Sequence, residues 1–132
     1  KAKLIAEAAR LVKPGGIIAF TDWVEGPTGL SDEEAKRFLT FMKFPSVQDI
    51  PGYVDLLQHN GCEVTVAEDT GMFASHVDLY LNMLNMQLTY DALKIIGFGM
   101  ELMGEMGKEM VFMQGLAHDG KIAQGRIIAR RK

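Results

Sequence analysis

The sequence has few of the features that mark secreted, membrane or nucleic-acid-binding proteins. It contains one cysteine, Cys62, in 132 residues, so no disulfide can form within the chain, which fits a reducing compartment. No apolar run approaches the ~18 residues of a membrane span, and no signal-peptide pattern is present. The formal net charge of −3 provides no basic field for nucleic acid or an anionic membrane. We therefore expect a cytoplasmic protein without membrane or nucleic-acid partners.

Metal-ligand patterns are also missing. The three histidines lie far apart in sequence, and none has the spacing to another histidine or to Cys62 that metal sites use. We expect no metal site.

The composition is that of an ordinary folded domain. Apolar residues make up 48% and charged residues 23%, which predicts one globular domain over residues 1–132. Residues 1–12 have helical periodicity, and Pro14 with two glycines ends that helix. The following run, residues 17–24, begins with four apolar residues, which predicts a strand buried on both faces.

The rest of the chain alternates helices and strands. Ser31 and Glu34 have capping-box spacing, and a further helix follows a cap at Ser46 or Asp49. Residues 62–68 alternate in polarity like a strand, about 72–118 is helical, and 121–131 is the last strand. The predicted fold class is α/β with three strands.

Residues 11–23 read Leu-Val-Lys-Pro-Gly-Gly-Ile-Ile-Ala-Phe-Thr-Asp-Trp. This stretch resembles the fifth-strand region of class I S-adenosylmethionine-dependent methyltransferases, where a Pro-Gly-Gly turn leads into a strand with a small or acidic end. The later pieces follow the family's order: a helix ending in Asn-Gly, the strand Cys-Glu-Val-Thr-Val-Ala-Glu-Asp, a helical insertion and a last strand ending in Arg-Arg-Lys. The resemblance spans essentially the whole chain and is closest to the sarcosine/dimethylglycine and phosphoethanolamine N-methyltransferases.

The resemblance implies the C-terminal half of a Rossmann-like methyltransferase domain. In that topology the last strand lies antiparallel between the other two, and the insertion at about 72–118 lies on the substrate side. The resemblance implies S-adenosylmethionine as cofactor. The family's glycine-rich loop after the first strand and acidic residue after the second have no counterpart here, so we assign no cofactor-binding residue.

Two functions remain open at this point. The resemblance implies the acceptor-binding portion of a methyltransferase for a small amine or similar small molecule, inactive as this chain alone. The alternative is a stand-alone small-ligand-binding or dimerisation module without catalysis, with a pocket under the methionine-rich helix of residues 100–113. Methionines of this kind more often fill a core.

Four residues are candidates for substrate binding: Asp22, Trp23, Tyr53 and His76. Asp22 and Trp23 end a strand, where open α/β sheets bind ligands; Trp23 can attract a methylammonium group, or simply cover the sheet. Tyr53 matches a family tyrosine that contacts substrate phosphate, or packs on an apolar helix face. Phe73 replaces a second family tyrosine, which disfavours a phosphate. His76 starts the insertion on the expected pocket side, or is a surface histidine.

The first strand predicts an association surface. In the family topology the strand at 17–24 pairs with a fourth strand that has no counterpart in this chain, and an apolar unpaired edge promotes pairing with another chain. We expect a homodimer, or another association through this edge.

Overall fold

A computed structural model describes residues 1–85, 88–95, 97 and 99–132. Residues 86, 87, 96 and 98 of the predicted insertion lie outside the described residues. The elements in chain order are α1 (Ala2–Leu11), β1 (Ile17–Glu25), α2 (Asp32–Met42), β2 (Gln48–Asp49), α3 (Ile50–His59), β3 (Cys62–Asp69), α4 (Phe73–Asn85), α5 (Leu88–Ile95), α6 (Met100–His118) and β4 (Ile122–Arg131). Each of the three predicted strands is present, with bounds that differ by one residue.

The sheet confirms the topology that the resemblance implies. Its order is β2-β1-β4-β3, and β4 runs antiparallel to both β1 and β3. The prediction of three strands was wrong, because β2 pairs in parallel with the end of β1, Val24 opposite Gln48 and Glu25 opposite Asp49. A two-residue strand has no alternating pattern to read.

Local signals explain the helix around residue 32 and the position of β1. The Glu34 amide donates to Ser31 Oγ at 3.3 Å, and the Ser31 amide donates to Glu34 Oε2 at 2.9 Å, so the predicted capping box is formed. Before β1, Gly15 adopts φ +78° and donates its N–H to the Arg131 carbonyl at 2.8 Å. The turn after α1 therefore aligns β1 with the end of β4.

Two hydrophobic cores lie on opposite faces of the sheet. The first packs α1 and α3 against β1, β3 and β4 and includes Ile5, Ala9, Ile18, Tyr53, Leu57, Cys62 and Ile127. The second lies under α2, α4 and α6 and includes Phe38, Phe73, Val77, Met113, Leu116 and Ile122. Met113 confirms the core interpretation for that position, since it is buried.

The prediction that β1 is buried on both faces was wrong for its first half. Ile18 is buried, but Ile17 is 59% exposed and Ala19 is exposed. The helices of the second core cover the Trp23 end of that face and leave the Ile17 end open. Among the described helices, α4 to α6 included, none combines the length and apolar character needed to cross a bilayer.

Candidate functional site

Asp22, near the carboxyl end of β1, is the centre of a polar cluster. Lys1 Nζ lies 2.5 Å from Asp22 Oδ2, and the Tyr53 hydroxyl donates a hydrogen bond to the same oxygen. Both charged side chains are largely covered, with 19% of Lys1 and 23% of Asp22 exposed. The cluster joins the start of α1, the end of β1 and the first turn of α3.

The geometry of β1 and α3 explains why Tyr53 reaches Asp22. Side chains alternate along β1, so Asp22 shares the first-core face with Ile18 and Val24. The Asp49 carboxylate accepts the Gly52 amide at 2.8 Å and begins α3 directly after β2, beside the end of β1. One turn later Tyr53 reaches the sheet, with its ring 5.1 Å from that of Phe20 in an edge-on arrangement.

The Tyr53 hydroxyl is a hydrogen-bond donor. Tyr53 is 1% exposed, and burial is the main reason why its pKa lies well above the usual value, followed by the hydrogen bond to Asp22 and that residue's negative charge. The phenol therefore keeps its proton at neutral pH. It can hold the Asp22 carboxylate in place, and it cannot act as a base there.

Trp23 points to the opposite face and belongs to an aromatic cluster of the second core. Its ring centroid lies 6.3 Å from Phe38, 5.9 Å from Phe44 and 5.0 Å from Phe73. Phe44 connects the two groups, because Lys1 Nζ lies 5.7 Å from its ring centroid. The aromatic ring beside the ammonium group is thus Phe44, with Trp23 packed behind it.

His76 lies away from this cluster. It is exposed on α4, and within the described residues its imidazole makes no hydrogen bond or ion pair. The structure therefore brings Asp22 and Tyr53 together, places Trp23 behind Phe44, and leaves His76 apart. Sequence reasoning missed Lys1 and Phe44, because Lys1 carried no motif and Phe44 lies between a helix and Pro45, where no periodicity applies.

Another histidine ties α4 to α6. His118 Nε2 lies 2.9 Å from Asp78 Oδ1, and Gln114 donates to the same oxygen at 2.7 Å. The Gln114 and His118 hydrogen bonds lower the pKa of the Asp78 carboxyl. Across the described part of the chain, no three His, Cys, Asp or Glu side chains are grouped to hold a metal ion.

A cavity of about 570 Å³ lies beyond the end of β1 and is lined by Val24, Glu25, Gly26, Pro27, Gly29, Asp49, Ile50, Pro51, Asp69 and Ala123. Gly26 and Glu25 in its loop are accounted for by contacts within the chain, so neither of them indicates a site for S-adenosylmethionine. A Cβ atom at Gly26 would lie 2.0 Å from the Gly120 carbonyl oxygen, so this glycine permits close packing of two loops. Glu25 Oε1 accepts the Leu30 amide at 2.8 Å and stabilises the loop itself.

A second, larger cavity of about 840 Å³ lies between α2 and α6. Phe41, Leu102 and Met106 give it an apolar surface, and charged side chains such as Lys36 and Glu105 surround them. At its side Arg37 donates to Glu109 at 2.9 Å and stacks 4.0 Å from the Phe112 ring centroid. We call this cavity the α2–α6 groove.

Comparison with solved structures identifies the fold. A protein described as a sarcosine dimethylglycine methyltransferase from Galdieria sulphuraria matches 99% of this chain and 47% of its own, with a TM-score of 0.83 and 18% identity. The chain has the fold of half a class I methyltransferase. No protein-family model and no curated protein matches the sequence.

Other structures with this methyltransferase fold agree. Phosphoethanolamine N-methyltransferase 2 from Haemonchus contortus, solved with phosphomonomethylethanolamine and S-adenosylhomocysteine, matches 99% of this chain and 30% of its own, with TM-score 0.79 and 14% identity. The cyclopropane synthase MmaA2 from Mycobacterium tuberculosis matches 98% and 49%, with TM-score 0.79 and 17% identity. The chain spans about half the length of these solved proteins, or less.

Proposed function

We propose that this chain is the acceptor-binding portion of an S-adenosylmethionine-dependent methyltransferase that acts on a small amine or similar small molecule. The fold supports this, because structures with the same fold carry the names of sarcosine dimethylglycine and phosphoethanolamine methyltransferases, and the phosphoethanolamine methyltransferase was solved with S-adenosylhomocysteine and with S-adenosylmethionine. The observation that supports an amine as the acceptor is the position of Lys1. Its alkylammonium group lies against the Asp22 carboxylate and near the Phe44 ring.

A carboxylate beside an aromatic ring is a chemical match for an ammonium ligand. The carboxylate accepts charge-assisted hydrogen bonds, and a ring face attracts a cation by about 0.5–2 kcal/mol, depending on desolvation. Lys1 shows that this place accommodates an alkylammonium group. An acceptor amine would replace Lys1 on Asp22 or share the carboxylate with it.

Each residue of the cluster would have a distinct task in methyl transfer. Asp22 would accept a hydrogen bond from the ammonium form of the acceptor and so fix its position; the nitrogen would then lose that proton to solvent, because only its free lone pair can attack the methyl group. Tyr53 is a positioning residue, because it donates to Asp22 and holds the carboxylate. Alignment of this kind supplies much of the rate in a transfer between two bound molecules. S-adenosylmethionine, when bound, supplies the electrophilic methyl group, and the residues that hold it would belong to another part of the enzyme.

Calorimetric titration with trimethylammonium chloride and with dimethylglycine tests the acceptor site. We expect saturable binding to the wild-type chain and loss of that binding in Asp22→Asn, because the amide carries no charge. The matched control is Asp55→Asn, which removes a carboxylate from the exposed side of α3 and should leave affinity unchanged. Equal binding by wild type and Asp22→Asn would contradict the proposal.

Removal of Lys1 gives a change in the opposite direction. In Lys1→Met the internal ammonium group that occupies Asp22 is gone, so we expect trimethylammonium to bind several-fold more tightly. Lys3→Met, on the exposed part of α1, is the control for a simple change of net charge. Weaker binding in Lys1→Met would show that Lys1 builds the site instead of competing for it.

Calorimetric titration with S-adenosylhomocysteine tests whether the site for the methyl donor lies in this chain. Because the family's glycine-rich loop after the first strand and its acidic residue after the second have no counterpart in this chain, we expect no binding of S-adenosylhomocysteine to it. Micromolar binding of S-adenosylhomocysteine would show that the donor site lies in this chain, and it would leave the result of the trimethylammonium titration unaffected. For the whole protein we also propose methyltransferase activity and a cytoplasmic location.

The α2–α6 groove favours a second candidate, a stand-alone binder of small apolar molecules. The groove has an apolar lining of Phe41, Leu102 and Met106 and is separate from the Asp22 cluster. This function predicts that a medium-chain fatty acid raises the melting temperature of wild type, and that Met106→Glu abolishes the shift. An unchanged melting temperature in wild type would exclude it.

A further inference from the structure

Three polar side chains, Asp78, Gln114 and His118, join the first helix of the insertion to its last helix, and we call them the α4–α6 clasp. His118 Nε2 lies 2.9 Å from Asp78 Oδ1 and 3.1 Å from Oδ2, and Gln114 donates to Oδ1 at 2.7 Å. Gln114 and His118 are four residues apart, so they lie on the same face of α6. One carboxylate of α4 is therefore held by two side chains of α6.

The clasp lies at the edge of the second core. The residue before each member of the clasp is buried, and these residues are Val77, Met113 and Ala117. The same helix α4 begins with Phe73, whose ring centroid lies 5.0 Å from that of Trp23. The polar contacts of the clasp therefore act on a helix that also covers the aromatic cluster.

The strength of the clasp depends on the charge of His118. Histidine is the side chain that ordinarily changes its charge between pH 5 and 8. A neutral imidazole can donate one N–H to Asp78, and a second proton adds a positive charge that strengthens the hydrogen bond to a carboxylate. His118 is also the last residue of α6, and the C-terminal end of a helix favours a positive charge. Both effects favour the charged imidazole.

The other charged groups near this end of α6 do not compete for Asp78. Within the described residues, Asp78 is the charged side chain that hydrogen-bonds to His118. Asp119 follows in the turn and adds a second negative charge near the imidazole. Lys121, which precedes β4, lies 2.5 Å from Glu34 of α2. The nearest cation in sequence is thus paired elsewhere.

We propose that the α4–α6 clasp is a proton-sensitive device that holds α4 against α6 when His118 is protonated and loosens when His118 loses that proton. The hydrogen bonds from Gln114 and His118 lower the pKa of Asp78, so this carboxyl stays ionised at neutral pH and His118 provides the pH dependence. An imidazole that gains an anionic partner on folding gives stability that is present at acid pH and lost as the pH rises. The clasp operates whether or not the Asp22 cluster binds an amine.

Amide hydrogen exchange, corrected for the intrinsic exchange rate at each pH, tests the proposal. We expect the protection of the Val77 and Leu81 amides in the wild-type chain to fall about threefold between about pH 5.5 and about pH 7.5, a size typical of a partly exposed ion pair. His118→Gln should remove this pH dependence. The matched control is His76→Gln on the same helix, which should keep the wild-type profile. Circular dichroism establishes that the variants are folded.

Two further variants separate the charge of the clasp from its packing. Asp78→Asn keeps the shape of the side chain and should also give a profile without pH dependence. His118→Lys keeps a positive charge over the whole range and should hold the protection of α4 near the acid value of wild type. A wild-type profile without pH dependence, or one that persists in His118→Gln, would overturn the proposal. Equal protection in His118→Lys and His118→Gln at every pH would overturn the role of charge.

Discussion

Asp22 and Tyr53 illustrate how far single residues can be interpreted from sequence. Each is identifiable alone, Asp22 by its place near a strand end and Tyr53 by its likeness to a family tyrosine. Their hydrogen bond was not predictable, because it depends on α3 starting beside the end of β1 after the two residues of β2. Lys1 and Phe44 complete the cluster through tertiary contacts that leave no local pattern.

The Tyr53–Asp22 hydrogen bond should contribute to stability. Tyr53→Phe keeps the buried ring and its contact with Phe20 but removes the donor to a carboxylate, so we expect a loss of about 1–3 kcal/mol in the free energy of unfolding. Urea denaturation measures it. Tyr80→Phe, on an exposed part of α4, should change stability by much less. An equal loss in the two variants would contradict the assigned role.

The same tyrosine predicts a change at alkaline pH. The folded state raises its pKa above the ordinary value of 10.0, so the phenol contributes stability that is fully present below pH 10 and is lost as the pH rises above it. The unfolding free energy of wild type should therefore fall more steeply above pH 10 than that of Tyr53→Phe. Parallel pH profiles would show that the phenol is not perturbed.

At the scale of elements, the capping signal predicted the start of α2 correctly, whereas no signal in the sequence predicted the shortest strand, β2. The Ser31-x-x-Glu34 pattern predicts both hydrogen bonds that begin α2, because the cap depends on residues three apart. The strand β2 depends instead on a neighbour, the end of β1, which sequence does not reveal. The residues around Asp49 indicate only the start of a helix, because Asp49 caps α3.

Removal of the cap at α2 should have a moderate cost. We expect Ser31→Ala to lower the unfolding free energy by about 0.5–2 kcal/mol, since it leaves the Glu34 amide without its acceptor. The control is Ser75→Ala on α4, whose hydroxyl donates to the Met72 carbonyl and caps no amide. If Ser75→Ala cost as much as Ser31→Ala, the capping role would be wrong.

Glu34 links this cap to the rest of the sheet and makes it pH-dependent. Its pKa is lowered from the ordinary 4.5, chiefly by the hydrogen bond from Lys121 and then by the Ser31 amide. A carboxyl whose pKa is lowered by folding gives stability that is present above its unfolded value and lost as the pH falls through the folded one. Glu34→Gln should therefore flatten the stability profile below pH 4.5, and an unchanged profile would contradict this.

At the scale of the whole molecule, the topology was predicted by the resemblance to class I methyltransferases, which implies that the last strand lies antiparallel between the other two. The order of helices and strands along the chain does not by itself determine which strands are neighbours in the sheet. The exposure of Ile17 was not predictable. An apolar run indicates burial, but whether a helix covers one face depends on what else packs there.

The central claim is that the Asp22 cluster binds an amine, and amide NMR spectra during a titration with trimethylammonium chloride test it most directly. The account predicts saturable chemical-shift changes at the amides of Asp22, Tyr53 and Phe44, which are absent in Asp22→Asn. The amide of Glu63 on the distant edge of β3 should not move. Changes confined to Phe41, Leu102 and Met106 in the α2–α6 groove, or no saturable change at all, would contradict the account.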